Sequence, residues 1–151
     1  MLEATKIKDF LKGNIKIPQF DHLIANKARD FQKQLTKPEG SLGKLEDIAI
    51  WMAGWQKTFK PTIKNPHCII FAGNHGISNK GVSAYPSEVT SQMVENFKLG
   101  GAAINQLCKL AKIKLSVIPI ELDKFTMDFS ESKAMSEEEV FSFMQLGFDS
   151  I

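Results

Sequence analysis

The sequence predicts a doubly wound α/β fold, in which helices cover a parallel sheet, and three stretches of the chain support this. Residues 68–72 form a short apolar run that ends at Gly73, which is the pattern of a strand covered on both faces. Two helical segments follow, and residues 114–122 then have the composition of a second strand, with Pro119 indicating a strand end or edge. A crossover of this length joins parallel neighbouring strands in a right-handed sense.

The segment before the first strand is predicted to be helical. Ile7, Phe10 and Leu11 lie at helical spacing and indicate a short amphipathic arm that ends near Gly13. A third helix, from Leu45 to Trp55, is apolar around more than half of its circumference, which predicts burial on two sides, between layers or at a subunit contact. The second helix lies in the sequence between this arm and the third helix. It is predicted to face the core through an apolar stripe formed by Phe20, Ile24, Ala28, Phe31 and Leu35.

The turn before the third helix, residues 37–46, is dense in proline and glycine. Pro38 and Gly40 shape the turn, and Ser41 is predicted to cap the helix that follows. A Gly-Ser loop at the start of a helix offers backbone N–H groups to an anion, but this one follows no strand and lacks the Walker lysine pattern. A tight turn is therefore favoured over phosphate binding.

The polar loop after the first strand is the candidate site, because ligands bind beyond the carboxyl ends of strands in open α/β sheets. It begins with Gly73, Asn74, His75 and Gly76. His75 is more often a structural hydrogen-bonding residue than a catalyst, and with His67 and Cys68 it makes a poor zinc set, so no metal site is predicted.

A helix is predicted after this loop, with Pro86 at its first position and Glu88 in its first turn. Tyr85 and Met93 lie near its loop end, and two interpretations stay open: they are ordinary packing residues, or they line a pocket for a flat aromatic ligand. Val89, Met93 and Phe97 recur at four-residue spacing along it.

Two further helices complete the pattern. Residues 102–112 are predicted to pack through Ile104, Leu107, Cys108 and Ala111. Ser136 and Glu139 form a capping box that opens the last helix, whose inward residues are predicted to be Val140, Met144 and residues 147–148. Two parallel strands do not make a stable sheet, so the sequence predicts an incomplete domain whose missing strands come from a longer chain or a partner.

Composition and charge exclude several classes. The 151 residues suffice for one domain with a sizeable core. Lys and Arg number 19 against 17 Asp and Glu, and a net charge of +2 gives no reason to expect nucleic acid or an anionic membrane as a partner.

No run approaches the roughly 20 apolar residues of a membrane span, and no apolar leader is present, so a cytoplasmic location is expected. Cys68 and Cys108 are interpreted as small buried hydrophobes in a reducing compartment.

Three blocks of the sequence carry a resemblance to a known family: KPEGSLGKLEDIAIWMAGWQ, FAGNHGISNKGVSAYPSEVTSQMVENFKLGGAAINQL and TMDFSESKAMSEEE. In consecutive order they resemble the N-terminal half of nicotinate-nucleotide:dimethylbenzimidazole phosphoribosyltransferase, an enzyme of cobalamin lower-ligand synthesis. The resemblance implies a homodimer with a Rossmann-like sheet and a small helical domain. It assigns residues 1–60 to the helical segment and residues 61–151 to the first part of the α/β domain.

The resemblance also implies an activity. The family transfers phosphoribose from nicotinate mononucleotide to dimethylbenzimidazole, giving α-ribazole phosphate and nicotinate, and needs no cofactor. Many relatives carry Asp where Asn74 stands, and this loss of a charge favours a hydrogen-bonding role there over an acid/base role. The residues that match the family's base-binding part are Asn74, His75, Gly76, Ser83, Tyr85, Glu88, Val89, Gln92 and Met93.

The family's phosphate-binding loops and catalytic glutamate belong to its C-terminal half, so the resemblance implies no catalytic residue in this chain and places the general base beyond Ile151. Two hypotheses follow. The chain is a part of the enzyme that acts together with a complementing C-terminal half, or it is an inactive truncated homologue that serves as a base-binding or assembly module.

Overall fold

The structure is a computed structural model that describes residues 5–151, with side chains from Ile7 onward. It contains two compact units: the described residues up to Lys12 together with Asn65–Ile151, and Gly13–Lys64. Residues 1–4 of the predicted helical segment lie outside the described residues. The elements are α1 (Thr5–Leu11), α2 (His22–Gln32), α3 (Lys44–Gln56), β1 (His67–Gly73), a 3-10 turn (Gly76–Lys80), α4 (Glu88–Leu99), α5 (Ala103–Ala111), β2 (Lys114–Ile120) and α6 (Glu137–Asp149).

The unit Gly13–Lys64 is an antiparallel pair of helices, α2 and α3, around a small core. Asp21 caps α2, because its carboxylate accepts a hydrogen bond from the Ile24 amide at 2.9 Å. The helices approach closely where the Asp21 amide donates to the Gly54 carbonyl at 3.1 Å. The buried residues of this core are Ala25, Ala28, Ile50 and Ala53, with Phe20 and Ile24 packed against them.

The described residues do not bury α3 on two sides, so the prediction that it lies between layers is wrong, whereas a subunit contact stays a prediction. Ile50 and Ala53 face α2, whereas Leu45, Ile48 and Trp51 on the other side are at least half exposed. The α2 stripe is correct at Ala28, but Leu35 lies beyond the end of the helix at Gln32 and is exposed. Periodicity identifies apolar positions and leaves open which of them have a neighbour.

The predicted cap at Ser41 is also wrong. Helix α3 begins at Lys44, its N-cap is Gly43 with φ 52°, and no side-chain cap is present there. Instead the Glu46 carboxylate reaches back and accepts from the Leu42 amide at 3.1 Å and from Lys37 Nζ at 2.6 Å. The lysine bond and the Leu42 amide hold the pKa of Glu46 below its ordinary value.

We expect Glu46→Gln to destabilise the chain at pH 7, because the amide keeps an acceptor for Leu42 but loses the ion pair with Lys37. A carboxylate with a lowered folded-state pKa stabilises above its ordinary value of 4.5 and loses that contribution as the pH falls through the lowered pKa. The difference between variant and native chain should therefore shrink in acid, as urea unfolding at pH 7 and pH 4 would show. Ser41→Ala is the control and should change the free energy of unfolding little. A loss of stability equal to that of Glu46→Gln would show that Ser41 caps α3 after all.

The other unit is built on a two-stranded parallel sheet, which confirms the predicted α/β class and parallel pairing. Cys68 lies opposite Leu115, and Gly73 opposite Ile120. Pro119 lies one position from the end of β2, as predicted. The prediction that β1 is covered on both faces is wrong for the described chain, since Phe71 is 44% exposed.

Helices α4 and α5 connect the two strands. Glu88 is in the first turn of α4 as predicted, but Pro86 precedes the N-cap Ser87 instead of taking the first helical position. The Pro86 carbonyl accepts from the Val89 amide at 3.1 Å, so the chain is already turning there. Gly100, with φ 81°, ends α4.

Helix α5 contacts β2 through a narrower face than predicted. Cys108 is buried, and burial raises the pKa of its thiol, with Cys68 as a contacting neighbour. Cys68 itself is only half-buried. Leu107 and Ala111, which were expected on the same face, are exposed.

Helix α6 begins with the predicted capping box: the Glu139 amide donates to Ser136 Oγ at 3.2 Å and the Ser136 amide donates to Glu139 Oε2 at 2.9 Å. Its inward face is directed at α1, where the Ile7 amide donates to Gln145 Oε1 at 3.1 Å. Phe148 is half-buried against Phe10, but Val140 and Met144 are exposed, so that part of the prediction is wrong.

Candidate functional site

A cavity of about 400 Å³, called here the β1 cavity, opens beyond the carboxyl end of β1 between the following loop and α4. Its volume lies within the range of small-molecule sites. Most of the residues predicted for the site line it: Asn74, His75, Ser83, Tyr85, Val89 and Met93. The structure thus brings these six residues together: the carboxyl end of β1 positions Asn74 and His75, and the following loop and α4 position the other four.

One wall of the β1 cavity is apolar. Val89, Met93 and Phe97 lie four residues apart along α4 and face the cavity together. Met93 is 37% exposed and Tyr85 is 71% exposed, so the mouth of the cavity is wide and neither residue is a core residue. Phe97 belonged to the stripe seen in the sequence, but its spacing alone does not separate a cavity wall from sheet packing.

Asn74 is held by three parts of the chain. Thr90 Oγ1 donates to Asn74 Oδ1 at 2.6 Å, and Asn74 Nδ2 donates to the Leu122 carbonyl at 2.9 Å. The Asn74 carbonyl accepts from the Thr126 amide at 3.4 Å. The amide of Asn74 therefore links α4 to the segment after β2. Thr90 was not among the predicted site residues, because a single hydroxyl near the start of α4 is the only feature of the sequence that indicates it.

Serine hydroxyls fix the loop that forms the cavity rim. Ser78 Oγ donates to the His75 carbonyl at 2.7 Å and lies 3.0 Å from Ser87 Oγ at the start of α4. Ser83 Oγ donates to the Tyr85 carbonyl at 2.8 Å and accepts from the Tyr85 amide at 3.2 Å. Both are local turns that position backbone, so Ser83 shapes the rim beside Tyr85.

Gly76 does not line the β1 cavity, and its role is packing. It is buried, and its amide donates to the Thr126 carbonyl at 3.0 Å. A β-carbon at Gly76 would lie 2.5 Å from that carbonyl oxygen and 2.8 Å from the Asp128 amide nitrogen. The close approach of two backbone segments explains the glycine.

Lys80 ties the 3-10 turn to the same segment. Its ammonium lies 3.1 Å from the Asp128 carboxylate and 2.8 Å from Glu131. Hydrogen bonds to Glu131 and Asp128 raise the pKa of Lys80. The pKa of Asp128 is lowered by the hydrogen bonds that Ser130 donates to it and, to a smaller extent, by Lys80. These ion pairs hold the 3-10 turn that follows His75 against the segment that contains Asp128 and Glu131.

The two remaining predicted residues lie elsewhere. Glu88 lines a smaller cleft of about 280 Å³ with Asp123, Ser87 and Ser91. Gln92 is exposed on α4 and is not among the residues that line the β1 cavity. No aspartate or glutamate lines the β1 cavity among the described residues.

A larger cavity of about 500 Å³, called here the α6 cavity, shares Gly73, Asn74 and His75 with the β1 cavity. It is lined by Phe71, whereas the β1 cavity is lined by Ala72, and consecutive strand residues point to opposite faces of the sheet. Lys124 on its rim contacts Glu121 and Glu139. Its bond with Glu139 is the main cause that raises the pKa of Lys124 and lowers that of Glu139.

The described residues contain neither a candidate metal centre nor a helix that could span a membrane. No group of three or more His, Cys, Asp or Glu side chains in the described part of the chain is arranged to hold a metal ion. Within residues 5–151, no helix has the length and apolar character needed to cross a membrane.

Comparison with known proteins gives the family. The sequence profile described as Phosphoribosyltransferase matches residues 17–151, which is most of the chain. The chain belongs to this phosphoribosyltransferase family.

Individual phosphoribosyltransferases resemble the chain along most of its length. It is 46% identical over 149 residues to a nicotinate-nucleotide–dimethylbenzimidazole phosphoribosyltransferase of Ruegeria sp. (strain TM1040), a match that covers 99% of this chain and 44% of the relative. Over 118 residues it is 53% identical to the protein of that name from Jannaschia sp. (strain CCS1), covering 78% of this chain and 35% of the relative.

A solved structure agrees with the fold. The crystal structure of the Thermus thermophilus protein of the same name matches with a TM-score of 0.66 and 36% identity, covering 79% of this chain and 41% of that chain. The chain thus spans less than half the length of these phosphoribosyltransferases, and the β1 cavity lies in the matched region.

Proposed function

We propose that the chain is the base-binding part of a nicotinate-nucleotide:dimethylbenzimidazole phosphoribosyltransferase with a Rossmann-like sheet, acting in the cytoplasm in cobalamin lower-ligand synthesis. The observation that carries the proposal is the β1 cavity, whose apolar wall of Val89, Met93 and Phe97 lies within the part that matches the family. A flat benzimidazole ring suits such a wall, and Tyr85 stands at its edge.

In the proposed reaction a benzimidazole nitrogen attacks the anomeric carbon of nicotinate mononucleotide. The new carbon–nitrogen bond forms as the bond to nicotinate breaks, nicotinate leaves with the electron pair of that bond, and the benzimidazole N–H proton must go to a base. This chain would hold the ring against α4 so that the nitrogen meets the sugar in one orientation. Removal of the proton by a positioned base contributes about a hundred- to ten-thousandfold in rate.

The base is proposed to be a glutamate supplied by sequence beyond Ile151. Carboxylates are missing from the described lining of the β1 cavity, and Glu88 faces the separate cleft with Asp123. The proposed partner is a second copy of the chain or a complementing C-terminal half, and the glutamate and the phosphate-binding groups would come from the C-terminal half. The same observation also suits the second candidate, a base-binding or assembly module without turnover, and activity in the presence of the remaining sequence separates the two.

We expect Met93→Ala to weaken dimethylbenzimidazole binding about five- to tenfold, the loss of roughly one apolar contact of about 1 kcal/mol. Met93 is 37% exposed, so the free energy of unfolding should change far less than the roughly 2 to 5 kcal/mol that truncation of a core methionine costs. Titration calorimetry and thermal unfolding measure the two quantities on the same samples.

Leu99→Ala is the matched control, because Leu99 ends the same helix, is 79% exposed and does not line the β1 cavity. Its affinity should equal that of the native chain. Unchanged affinity in Met93→Ala, together with a large loss of stability, would assign Met93 to the core and remove the case for a base site on α4.

A further inference from the structure

Asn74 lies where the β1 cavity, the α6 cavity and the cleft of Glu88 meet. Its amide orientation is fixed by chemistry, because the Leu122 carbonyl can only accept a hydrogen bond and must face Nδ2. That leaves Oδ1 as the acceptor for the Thr90 hydroxyl. Both ends of the amide are thus engaged by the protein, and the group is half-buried.

We infer that Asn74 is a positioning residue of the base site, holding α4 at a fixed distance from the segment after β2. The inference rests on the proposed function. Val89 belongs to the apolar wall, and Thr90 is the next residue along α4. The hydrogen bond that the Thr90 hydroxyl donates to Asn74 therefore sets the position of that wall. Recognition of the base would then depend on Asn74 through the position that it gives to α4.

Replacement of the amide by a carboxyl group tests this inference in this chain, where the group facing Nδ2 is the Leu122 carbonyl; relatives with Asp at this position are expected to place a donor there instead. In Asn74→Asp, the oxygen facing Thr90 is kept, and the group facing the Leu122 carbonyl becomes an acceptor when ionised. When protonated, the new carboxyl can again donate to that carbonyl. The link between α4 and the segment after β2 should therefore be intact in acid and lost as the pH rises through the pKa of the new carboxyl.

The charged surroundings decide where that change falls. The groups that share the three cavities with Asn74 are Glu88 on α4, Glu121, Asp123 and Lys124 after β2, Glu139 on α6, and His75. Lys124 is paired with Glu139 and Glu121, so it is already neutralised by carboxylates. Partial burial and the neighbouring Glu88 and Asp123 oppose ionisation of a carboxyl placed here, whereas the hydrogen bond from Thr90 favours it. We expect burial and the two carboxylates to dominate, so that the transition lies above the ordinary range of aspartate.

The measurement is the affinity for dimethylbenzimidazole across pH, expressed as the ratio of the dissociation constants of Asn74→Asp and native chain. The ratio cancels the protonation of the ligand itself. We expect it to be close to one near pH 5 and to reach about three- to tenfold near pH 8, the loss of roughly one hydrogen bond. Asn79→Asp, an exposed site in the 3-10 turn, is the matched control and should show a ratio of one throughout.

A second readout needs no ligand. Hydrogen exchange of the Thr90 and Thr126 amides, relative to native chain and corrected for intrinsic rate, should accelerate with pH in Asn74→Asp and not in Asn79→Asp. A native chain that fails to bind dimethylbenzimidazole would end the proposed function, and the exchange data would still decide whether Asn74 holds the two segments together. If the native chain binds and the affinity ratio is independent of pH, the proposed function stands and the positioning role is overturned. The positioning role would also be overturned if the corrected exchange rate of Asn74→Asp, relative to that of the native chain, were independent of pH.

Discussion

Gly76→Ala is expected to lower the free energy of unfolding by about 3 kcal/mol or more, the largest single-residue effect predicted for this chain. The added β-carbon would lie 2.5 Å from the Thr126 carbonyl oxygen and 2.8 Å from the Asp128 amide nitrogen. Both are backbone atoms, so relief requires the segments to separate. Separation would break the bond from the Gly76 amide to Thr126 and strain the contact of Lys80 with Asp128.

Gly147→Ala provides the control for the glycine substitution itself. Nothing lies within 4 Å of a β-carbon built at Gly147, which is inside α6. Alanine is favoured over glycine in helix interiors by up to about 1 kcal/mol, so this variant should be slightly more stable than the native chain. Urea unfolding compares the two. Equal stability of Gly76→Ala and native chain would show that the approach of the two segments is not required by the fold.

The sequence predicted the features of this chain that follow from a local pattern or from a general rule of α/β folds. The capping box of Ser136 and Glu139 was predictable because its partners are three residues apart, and both of its hydrogen bonds are present. The parallel pairing of β1 and β2 followed from two apolar runs joined by a long crossover. The cavity beyond β1 followed from the general position of ligands in α/β sheets.

Features that depend on distant partners were not predictable in the same way. Asn74 bonds to Thr90 and to the Leu122 carbonyl, 16 and 48 residues away, and no local pattern indicates either bond. The start of α3 depends on the backbone of Gly43 and on Glu46 reaching back, so a rule that selects serine as the cap failed. Leu107, Val140 and Met144 were expected inside because they are apolar at helical spacing, yet they are exposed in the described structure.

The isolated chain is expected to show no detectable phosphoribosyl transfer, and joining it to the remaining part of a relative is expected to restore turnover. The reason is the proposed division of labour: α4 and the β1 cavity hold the base, while the proton acceptor and the phosphate-binding groups come from sequence beyond Ile151. The remaining part of the Ruegeria relative is a suitable choice, since its matched part is 46% identical to this chain. The measurement is nicotinate release that depends on dimethylbenzimidazole.

Three samples make this experiment decisive: the isolated chain, the joined polypeptide, and the Ruegeria part by itself. Turnover in the joined polypeptide alone would support the proposal, and the same polypeptide with Met93→Ala should turn over more slowly at low base concentration, because its base site is weakened. Transfer by the pure isolated chain would show that its own residues include a proton acceptor and a phosphate site, and the proposed placement of those groups would be wrong. A joined polypeptide that is folded and binds dimethylbenzimidazole without releasing nicotinate would favour the base-binding or assembly module, because the pocket would then be present without the reaction.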